Sequence, residues 1–410
     1  MRALFTTTAG SGHFHPLVPV ARALVEAGHE VAVAAPGSFT PTVEASGLRA
    51  FPAGRDDAQG VDSELAGLLS TFMELDPEER SAFFFSHIFG GYNARRIVPD
   101  LIPLCREWKP DVVVREIAEF GGAIAAEALG IPYAAVQIGH FFDFGRYRDD
   151  LSSQLDPVRH SVGLPADPEL AMLYRYLLLS LVPPSYQEPD AERPPTMHHL
   201  RTVVFDRSGS EVAPPWLGPD LARPIIYATF GTEVPNIPPL GVFPGLFRAV
   251  IDGLRDEVGT LIVTVSRGKD PADLGPQPPH VHVEQYLPQS LLLPYCDLVV
   301  THGGHNTVLA ALAHGLPLVV IPIVADQPEN ARRCADLDLG RTMGPGERTP
   351  DAIRTAVREV LGEPRYRQNA VAVQTEMEAL PVVERAVELL EGLAAEKTPR
   401  LAAHEARRTH

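Results

Sequence analysis

The sequence predicts an α/β fold made of two doubly wound, Rossmann-like domains that face a central cleft. A buried strand at 2–8, a helical run and a second strand at 31–35 open the chain. The same alternation of strands and helices begins again at "IIYATFG", which starts at Ile225. Alternation of this kind indicates a parallel sheet with helices on both faces. Ligands of such sheets bind at the carboxyl ends of the strands, so site residues are expected there.

A stretch rich in proline and glycine, "GSEVAPPWLGPDLARP", lies between the two α/β segments and is interpreted as a linker. The predicted domains are therefore an N-terminal domain at 1–213 and a C-terminal domain at 214–379. Apolar residues recur at helical spacing in the last segment, 380–410. This pattern predicts an amphipathic helix that packs back towards the N-terminal domain, followed by a charged tail.

The composition argues against several classes of partner. The 410 residues include 35 Lys and Arg and 52 Asp and Glu, a formal net charge of −17. So acidic a chain is not expected to bind nucleic acid or an anionic membrane surface. No run of about 20 apolar residues and no signal-peptide pattern is present, so no membrane span is expected. The three cysteines form no CxxC pair, which is typical of reduced thiols in a cytoplasmic protein.

The turn after the first strand, "AGSGHFHP", poses the first question of function. Gly10 and Gly12 fit a dinucleotide fingerprint, but His15 stands where the third glycine belongs. The second strand ends at Ala35 without a carboxylate for a ribose hydroxyl, so a nicotinamide cofactor is not expected. A neutral imidazole at such a junction can accept a proton at physiological pH. His13 is therefore a candidate base, with a structural role as the alternative.

A second glycine turn, "HGGHNT", begins at His302 between a strand and a helix. The N–H groups and dipole of a helix N-terminus make such a turn an anion site, and His302 can donate to a phosphate oxygen. Asp326 and Gln327 follow the next strand. A carboxylate beside an amide can bind sugar hydroxyls, although an isolated pair of this kind also occurs as a helix N-cap.

Together, "GHFHP", "FGT", "YLPQ", "HGGHNT" and "DQPENA" resemble the motifs of GT-B glycosyltransferases of the family-1 type, in particular actinobacterial natural-product enzymes. The resemblance covers nearly the whole chain. It implies transfer of a sugar from a nucleoside diphosphate with inversion at the anomeric carbon and no further cofactor. It also implies that the N-terminal domain holds the acceptor and the C-terminal domain holds the donor.

The resemblance assigns residues of this sequence to roles. His13 matches the general base, and Glu116 matches the carboxylate that supports it, although Glu119 could take that role. The residues expected to contact the acceptor are Ser11, Phe85, Phe89, Phe141 and Phe142. The residues expected to bind the donor are Thr232, Tyr286, Gln289, His302, Gly303, Gly304, Asn306, Thr307, Asp326 and Gln327. Tyr286 stands where many relatives have a tryptophan that stacks on the base.

A departure from the family pattern bears on the donor. Relatives that use UDP-sugars often carry a glutamate for the ribose hydroxyls eight residues after the phosphate-binding histidine, where this chain has Ala310. A dTDP-deoxysugar is therefore favoured over UDP-glucose as the donor. The catalytic blocks contain no DxD motif, so no metal is expected. The expected acceptor is a hydroxyl of an apolar natural-product aglycone.

Other interpretations stay open. They are a UDP-glucose-dependent enzyme that inactivates a macrolide-type antibiotic, a sugar-nucleotide 2-epimerase, a non-catalytic GT-B binding protein and a lipid-linked cell-wall transferase. The last lacks an obvious basic docking helix here. The sequence leaves open the aglycone, the atom that is glycosylated, the oligomeric state, for which a homodimer is one option, and the need for an auxiliary protein.

Overall fold

The computed structural model describes residues 1–55, 60–139, 147–189, 191–206, 211–236 and 240–402. The chain divides into two compact units. The N-terminal unit comprises Met1–Val182, Pro189–Val203 and Leu380–His410, and the C-terminal unit comprises Pro183–Glu188 and Val204–Ala379. The short segment Pro183–Glu188 is tied to the C-terminal unit by the buried Arg333, which donates to the carbonyls of Ser185 and Tyr186.

The N-terminal unit is built on a seven-stranded parallel sheet with the order β3-β2-β1-β4-β5-β6-β7. Its strands are β1 (Arg2–Thr6), β2 (Glu30–Ala35), β3 (Arg49–Pro52), β4 (Val112–Glu116), β5 (Tyr133–Gln137), β6 (Leu178–Ser180) and β7 (Met197–His199). β4 and β5 are buried at every position. Such burial on both faces explains why their sequences are nearly continuous apolar runs.

Helices cover this sheet. They are α1 (Ser11–Phe14), α2 (Leu17–Glu26), α3 (Thr40–Ala45), α4 (Ser63–Glu74), α5 (Pro77–Phe83), α6 (Ala94–Trp108), α7 (Gly121–Leu129) and α8 (Arg148–Ser161). The segment Phe84–Asn93, between α5 and α6, is π-helical. π-Helices are rare and often occur at functional sites.

The C-terminal unit is built on a six-stranded parallel sheet with the order β10-β9-β8-β11-β12-β13. Its strands are β8 (Ile225–Thr229), β9 (Thr260–Thr264), β10 (Val281–Glu284), β11 (Leu298–Thr301), β12 (Leu318–Val320) and β13 (Gly340–Thr342). Its helices are α9 (Phe247–Leu254), α10 (Gln289–Leu292), α11 (His305–Ala313), α12 (Gln327–Asp336), α13 (Pro350–Gly362) and α14 (Pro364–Ala379).

The last helix, α15 (Arg385–Glu396), belongs to the N-terminal unit. It buries an apolar stripe that includes Val387, Leu390 and Leu393, as the helical spacing predicts. Cys105, Cys296 and Cys334 are free thiols and are all buried. In the part of the chain that the structure describes, no helix combines the length and the apolar character that a membrane crossing needs.

Each sheet has a topological switch point. β1 lies between β2 and β4, and β8 lies between β9 and β11. In each sheet the first strands are therefore added on one side of the starting strand, and the later strands are added on its other side. In doubly wound sheets, ligands bind at the carboxyl ends of the strands beside this point. The predicted class of two doubly wound α/β domains is confirmed.

Candidate active site

The turn after β1 carries His13 to the switch point of the N-terminal sheet. α1 is preceded by Gly10, whose φ of 132° is disfavoured for residues with a side chain. β1 pairs in register with β4, so that Thr6 lies opposite Arg115. The last residue of β4, Glu116, is therefore brought to the turn that holds His13, although the two are 103 positions apart.

His13 and Glu116 form a hydrogen-bonded pair. The Nδ1 atom of His13 lies 3.1 Å from Oε1 of Glu116, whose side chain is 0% exposed against 24% for His13. The carboxylate also accepts from the Thr8 hydroxyl at 3.2 Å and from the Ala118 backbone N–H at 2.5 Å. With Nδ1–H donating to this fixed carboxylate, the His13 Nε2 atom has the lone pair that accepts a proton.

The second carboxylate, Glu119, does not compete for His13. It accepts from the Thr6 hydroxyl and from the backbone N–H of Gly122 at the start of α7. Burial raises the pKa of Glu119 to about 7, and the neighbouring charge of Glu116 acts in the same direction. The geometry therefore leaves Glu116 as the carboxylate in contact with His13.

Arg115 fixes the loop that carries both carboxylates, a role that the sequence did not reveal. Its side chain is fully buried. Nη1 donates to the carbonyls of Glu116, Ile117 and Glu119 at 3.1, 2.9 and 3.2 Å, and Nη2 donates to the carbonyl of Leu173 at 2.8 Å. The Arg115 guanidinium therefore fixes, through hydrogen bonds to three carbonyls, the loop that positions Glu116.

Of the residues predicted to contact the acceptor, Phe89 lies against His13. Its ring meets the His13 imidazole edge-on, with the centroids 5.2 Å apart. Phe85 packs on Phe89 at 5.4 Å and against the core of the unit. Ser11 is the first residue of α1, in the same turn as His13. Phe141 and Phe142 lie outside the described residues.

In the C-terminal unit, the turn after β11 encloses His302 between two glycines. The side chain is 7% exposed. A Cβ atom on Gly231 or on Gly304 would lie 2.7 or 2.6 Å from the His302 Nε2 atom, closer than real Cβ atoms approach. Gly231 follows β8 and Gly304 precedes α11. Glycine is thus required on both sides for the ring to occupy the switch point of this sheet.

His302 is a neutral side chain at physiological pH. Burial lowers its pKa to about 4, and its Nδ1 atom lies 3.3 Å from the Thr301 hydroxyl. A hydrogen bond from this ring to a phosphate would therefore come from an uncharged donor. Gly303 adopts a φ of 86° and Gly304 opens α11. No side chain caps α11 at Gly304, and the positive end of the helix dipole lies at this turn.

Further residues that are predicted to bind the nucleotide-sugar donor lie at the ends of neighbouring strands. Thr232 follows β8, and its carbonyl accepts from Asn236 Nδ2 at 2.8 Å and from the Ser266 hydroxyl at 2.7 Å. Thr307 and Asn306 stand in the first turn of α11. Gln289 donates to the Thr307 hydroxyl at 3.0 Å, so the "YLPQ" motif supports the glycine turn.

Tyr286, the predicted base platform, follows β10. Its hydroxyl donates to the carbonyl of Asp206 at 2.5 Å, and the Arg267 guanidinium lies 4.4 Å from the ring centroid. Burial raises the pKa of the Tyr286 hydroxyl. The ring is thus fixed through its hydroxyl and carries a cation over one face, a partner that the sequence did not indicate.

Asp326 and Gln327 form the end of a tightly bonded loop after β12. The Asp326 carboxylate accepts from Asn330 Nδ2 at 2.7 Å, and the same amide donates to the carbonyl of Gly303 at 2.8 Å. Gln327 Oε1 accepts from the backbone N–H groups of Ile323 and Val324, each at 2.9 Å. Asn330 therefore links Asp326 to the glycine turn.

No cluster of three or more His, Cys, Asp or Glu side chains is placed to hold a metal ion, as far as the described ranges extend. The carboxyl ends of β8, β10, β11 and β12 together carry hydroxyl, amide, imidazole and carboxylate groups. This edge can bind a phosphate and hydroxyl groups, and the His13 edge can accept a proton.

Two models of one protein family match the chain. The N-terminal domain of erythromycin biosynthesis protein CIII-like proteins matches residues 22–231, and the C-terminal domain matches residues 248–393. The chain belongs to this family. It is a natural-product glycosyltransferase with the GT-B fold, as the resemblance implied.

Individual relatives of this CIII-like glycosyltransferase match over nearly their whole length. 4'-Demethylrebeccamycin synthase of Lentzea aerocolonigenes is 31% identical, over 96% of this chain and 99% of that protein. 10-Deoxymethynolide desosaminyltransferase of Streptomyces venezuelae is 30% identical, over 97% and 98%. The crystal structure of the glycosyltransferase VinC in complex with dTDP superposes with a TM-score of 0.78 at 28% identity, over 97% of this chain and 100% of that one.

Proposed function

We propose that this glycosyltransferase moves a deoxysugar from a dTDP-sugar to a hydroxyl of an apolar natural-product aglycone, with inversion and without a metal. The observation that carries the proposal is the pair formed by His13 and the fully buried Glu116. A partly exposed imidazole held by a buried carboxylate is the arrangement that a general base requires.

On the acceptor side, the His13 Nε2 atom takes the proton of the acceptor hydroxyl while the oxygen attacks the anomeric carbon. The bond from that carbon to the diphosphate oxygen breaks in the same step, so the configuration inverts. The imidazolium that forms is stabilised by the Glu116 carboxylate. Arg115 keeps that carboxylate in place by binding the carbonyls that follow it.

On the donor side, the leaving diphosphate is stabilised by hydrogen-bond donors and the dipole of α11. His302, Asn306 and Thr307 supply side-chain donors in this proposal, and Thr232 supplies a further hydroxyl. Preorganised donors of this kind stabilise developing charge without reorganisation, so they replace the function of a metal. Asp326 and the amide nitrogen of Gln327 bind sugar hydroxyls.

The preference for thymidine rests on position 310. Ala310 lies within α11 and is fully buried, so no carboxylate is present there for a ribose 2′-hydroxyl. The relative named as a desosaminyltransferase and the dTDP complex of VinC support the same donor class.

The experiment is a calorimetric titration with dTDP and UDP, followed by turnover of a panel of dTDP- and UDP-sugars with apolar aglycones. Products are identified by mass spectrometry and their anomeric configuration by NMR coupling constants. We expect tighter binding of dTDP, an inverted product and undiminished turnover in excess EDTA. Tighter UDP binding, a retained configuration, or loss of activity in EDTA that Mg²⁺ restores contradicts the corresponding part of the proposal.

A further inference from the structure

A cavity of about 210 Å³ opens at the carboxyl ends of β1 to β4, inside the N-terminal unit. The turn after β1, the ends of β2 and β3, α4, the π-helical segment and the residues before α7 form its walls. Phe89, which contacts the His13 ring, is one of the lining residues. The cavity is mostly apolar and adjoins the proposed base.

The π-helical segment decides which side chains line this cavity. Four of its residues do so: Phe84, Ile88, Phe89 and Asn93. They are spaced by four and five positions. Hydrogen bonds from i to i+5 widen the turn beyond the 3.6 residues of an α-helix, so this spacing falls on one face. In an α-helical register, Asn93 would turn away from the face that carries Phe84.

Packing on the opposite side explains how the segment is held. A Cβ atom on Gly90 would lie 2.6 Å from Leu151 Cδ1, and one on Gly91 would lie 2.7 Å from Gln154 Oε1. Both contacts are with α8, which therefore packs directly against the backbone of the segment. The glycines allow this close approach, and the larger side chains are presented to the cavity.

Asn93 differs from the other polar residues of the lining. Thr8 donates to Glu116, Arg55 donates to the carbonyl of Gly60, and Glu119 accepts from Thr6 and Gly122. The half-buried amide of Asn93 has no hydrogen-bond partner among the residues that the structure describes. A ligand oxygen can replace water on this half-buried amide and gain a hydrogen bond in apolar surroundings.

We propose that Asn93 is a specificity-determining residue, and that the cavity selects acceptors whose ring system carries a keto or hydroxyl oxygen besides the hydroxyl that is glycosylated. The π-helical register places this amide among aromatic and aliphatic walls, so it recognises one oxygen on an otherwise apolar body. This inference rests on the proposed function, because it takes the ligand of the cavity to be the acceptor.

The test compares two probes that differ by one keto group, 7-hydroxy-1-tetralone and 5,6,7,8-tetrahydro-2-naphthol. Their dissociation constants are measured by calorimetry at pH 7 with the full chain and no donor. We expect the ketone to bind roughly five- to tenfold more tightly to the wild type, as one net hydrogen bond implies. In Asn93→Leu, both probes should bind equally.

His87→Gln is the matched control, because His87 lies in the same π-helical segment but pairs with Asp150 and stacks on Phe83 rather than lining the cavity. It should keep the preference for the ketone. The circular dichroism spectrum of each variant verifies that the chain is folded. Equal binding of the probes to the wild type, binding of neither, or a preference kept in Asn93→Leu overturns the proposal. Since no sugar is transferred, failure of the proposed reaction is detected separately.

Discussion

Each unit carries a histidine at the switch point of its sheet, and the two histidines have opposite surroundings. His13 is 24% exposed and lies 3.1 Å from a buried carboxylate. His302 is 7% exposed, is flanked by Gly231 and Gly304, and has the Thr301 hydroxyl as its polar neighbour. A carboxylate stabilises a protonated imidazole, whereas burial without one keeps the ring neutral.

This difference shows how one side chain serves two chemistries on one architecture. In the N-terminal unit, the strand paired with β1 ends in a carboxylate, so the imidazole can take up a proton. In the C-terminal unit, the corresponding strands β8 and β11 are followed by turns that contain glycines, and the pKa of His302 falls to about 4. We infer that the first site performs acid–base chemistry and the second binds an anion through uncharged donors.

The largest expected effect is that of removing the base. His13→Ala should lower kcat on the order of 10²- to 10³-fold, because it removes the imidazole that takes the acceptor proton in the proposed reaction. Steady-state kinetics with a dTDP-sugar and a saturating aglycone measure it. His15→Ala is the control and should stay within a few-fold of the wild type. Equal losses of kcat in both variants would mean that the activity depends on the structure of the turn and not on the imidazole of His13.

Removing the carboxylate should have a smaller effect on the same step. Glu116→Gln keeps the size of the side chain but cannot stabilise the imidazolium, so kcat should fall on the order of 10²-fold. Glu119→Gln is the matched change on the same loop. It does not contact His13, so it should leave kcat nearly unchanged. The reverse ranking would assign the support of the base to Glu119.

The close packing of glycine against His302 can be disrupted without a substitution of the histidine itself. Gly231→Ala places a Cβ atom against Nε2 and should displace the imidazole. The expected result is a loss of dTDP affinity of roughly tenfold, as one hydrogen bond to a charged group implies. Combining it with His302→Ala should add little further loss. Gly241→Ala is the control, because Gly241 also has a positive φ but faces open space.

The smallest expected effects concern stability and have opposite signs in the two units. The pKa of His302 lies at about 4, below its usual 6.5, so the unfolded chain binds more protons as the pH falls from 6.5 towards 4 and stability is lost. The pKa of Glu119 lies at about 7, above its usual 4.5, so its contribution is present below pH 4.5 and is lost as the pH rises through 7.

Urea unfolding at pH 7 and pH 5 measures both contributions. His302→Gln should reduce the acid loss by roughly 1 kcal/mol, and Glu119→Gln should increase it by a similar amount. The wild type supplies the reference at each pH. Changes of the same sign in both variants would contradict the contrast between the two buried groups.

The sequence was sufficient to predict the fold and most of the positions beside the two switch points. The turns at His13 and His302 were visible because glycines, histidines and a strand-to-helix junction coincide there. The choice between Glu116 and Glu119 could not be made from the sequence, because Glu116 ends β4 and Glu119 follows it by three positions. The register of β1 with β4 and the start of α7 separate them.

Other groups could not be found from local patterns. Arg115 stands next to Glu116 at the end of a buried strand, and only the folded loop supplies the carbonyls that Arg115 binds. Asn330 acquires its role because β11 and β12 are neighbours. The π-helical register of Asn93 depends on the packing of α8 against Gly90 and Gly91, a contact distant in sequence.

The most direct test of the division between the two histidines is one calorimetric titration of dTDP into wild type, His13→Ala and His302→Ala. We expect His13→Ala to bind dTDP within about twofold of the wild type and His302→Ala to bind it roughly tenfold more weakly. Weakening of the same size in both variants, or none in His302→Ala, would contradict that division.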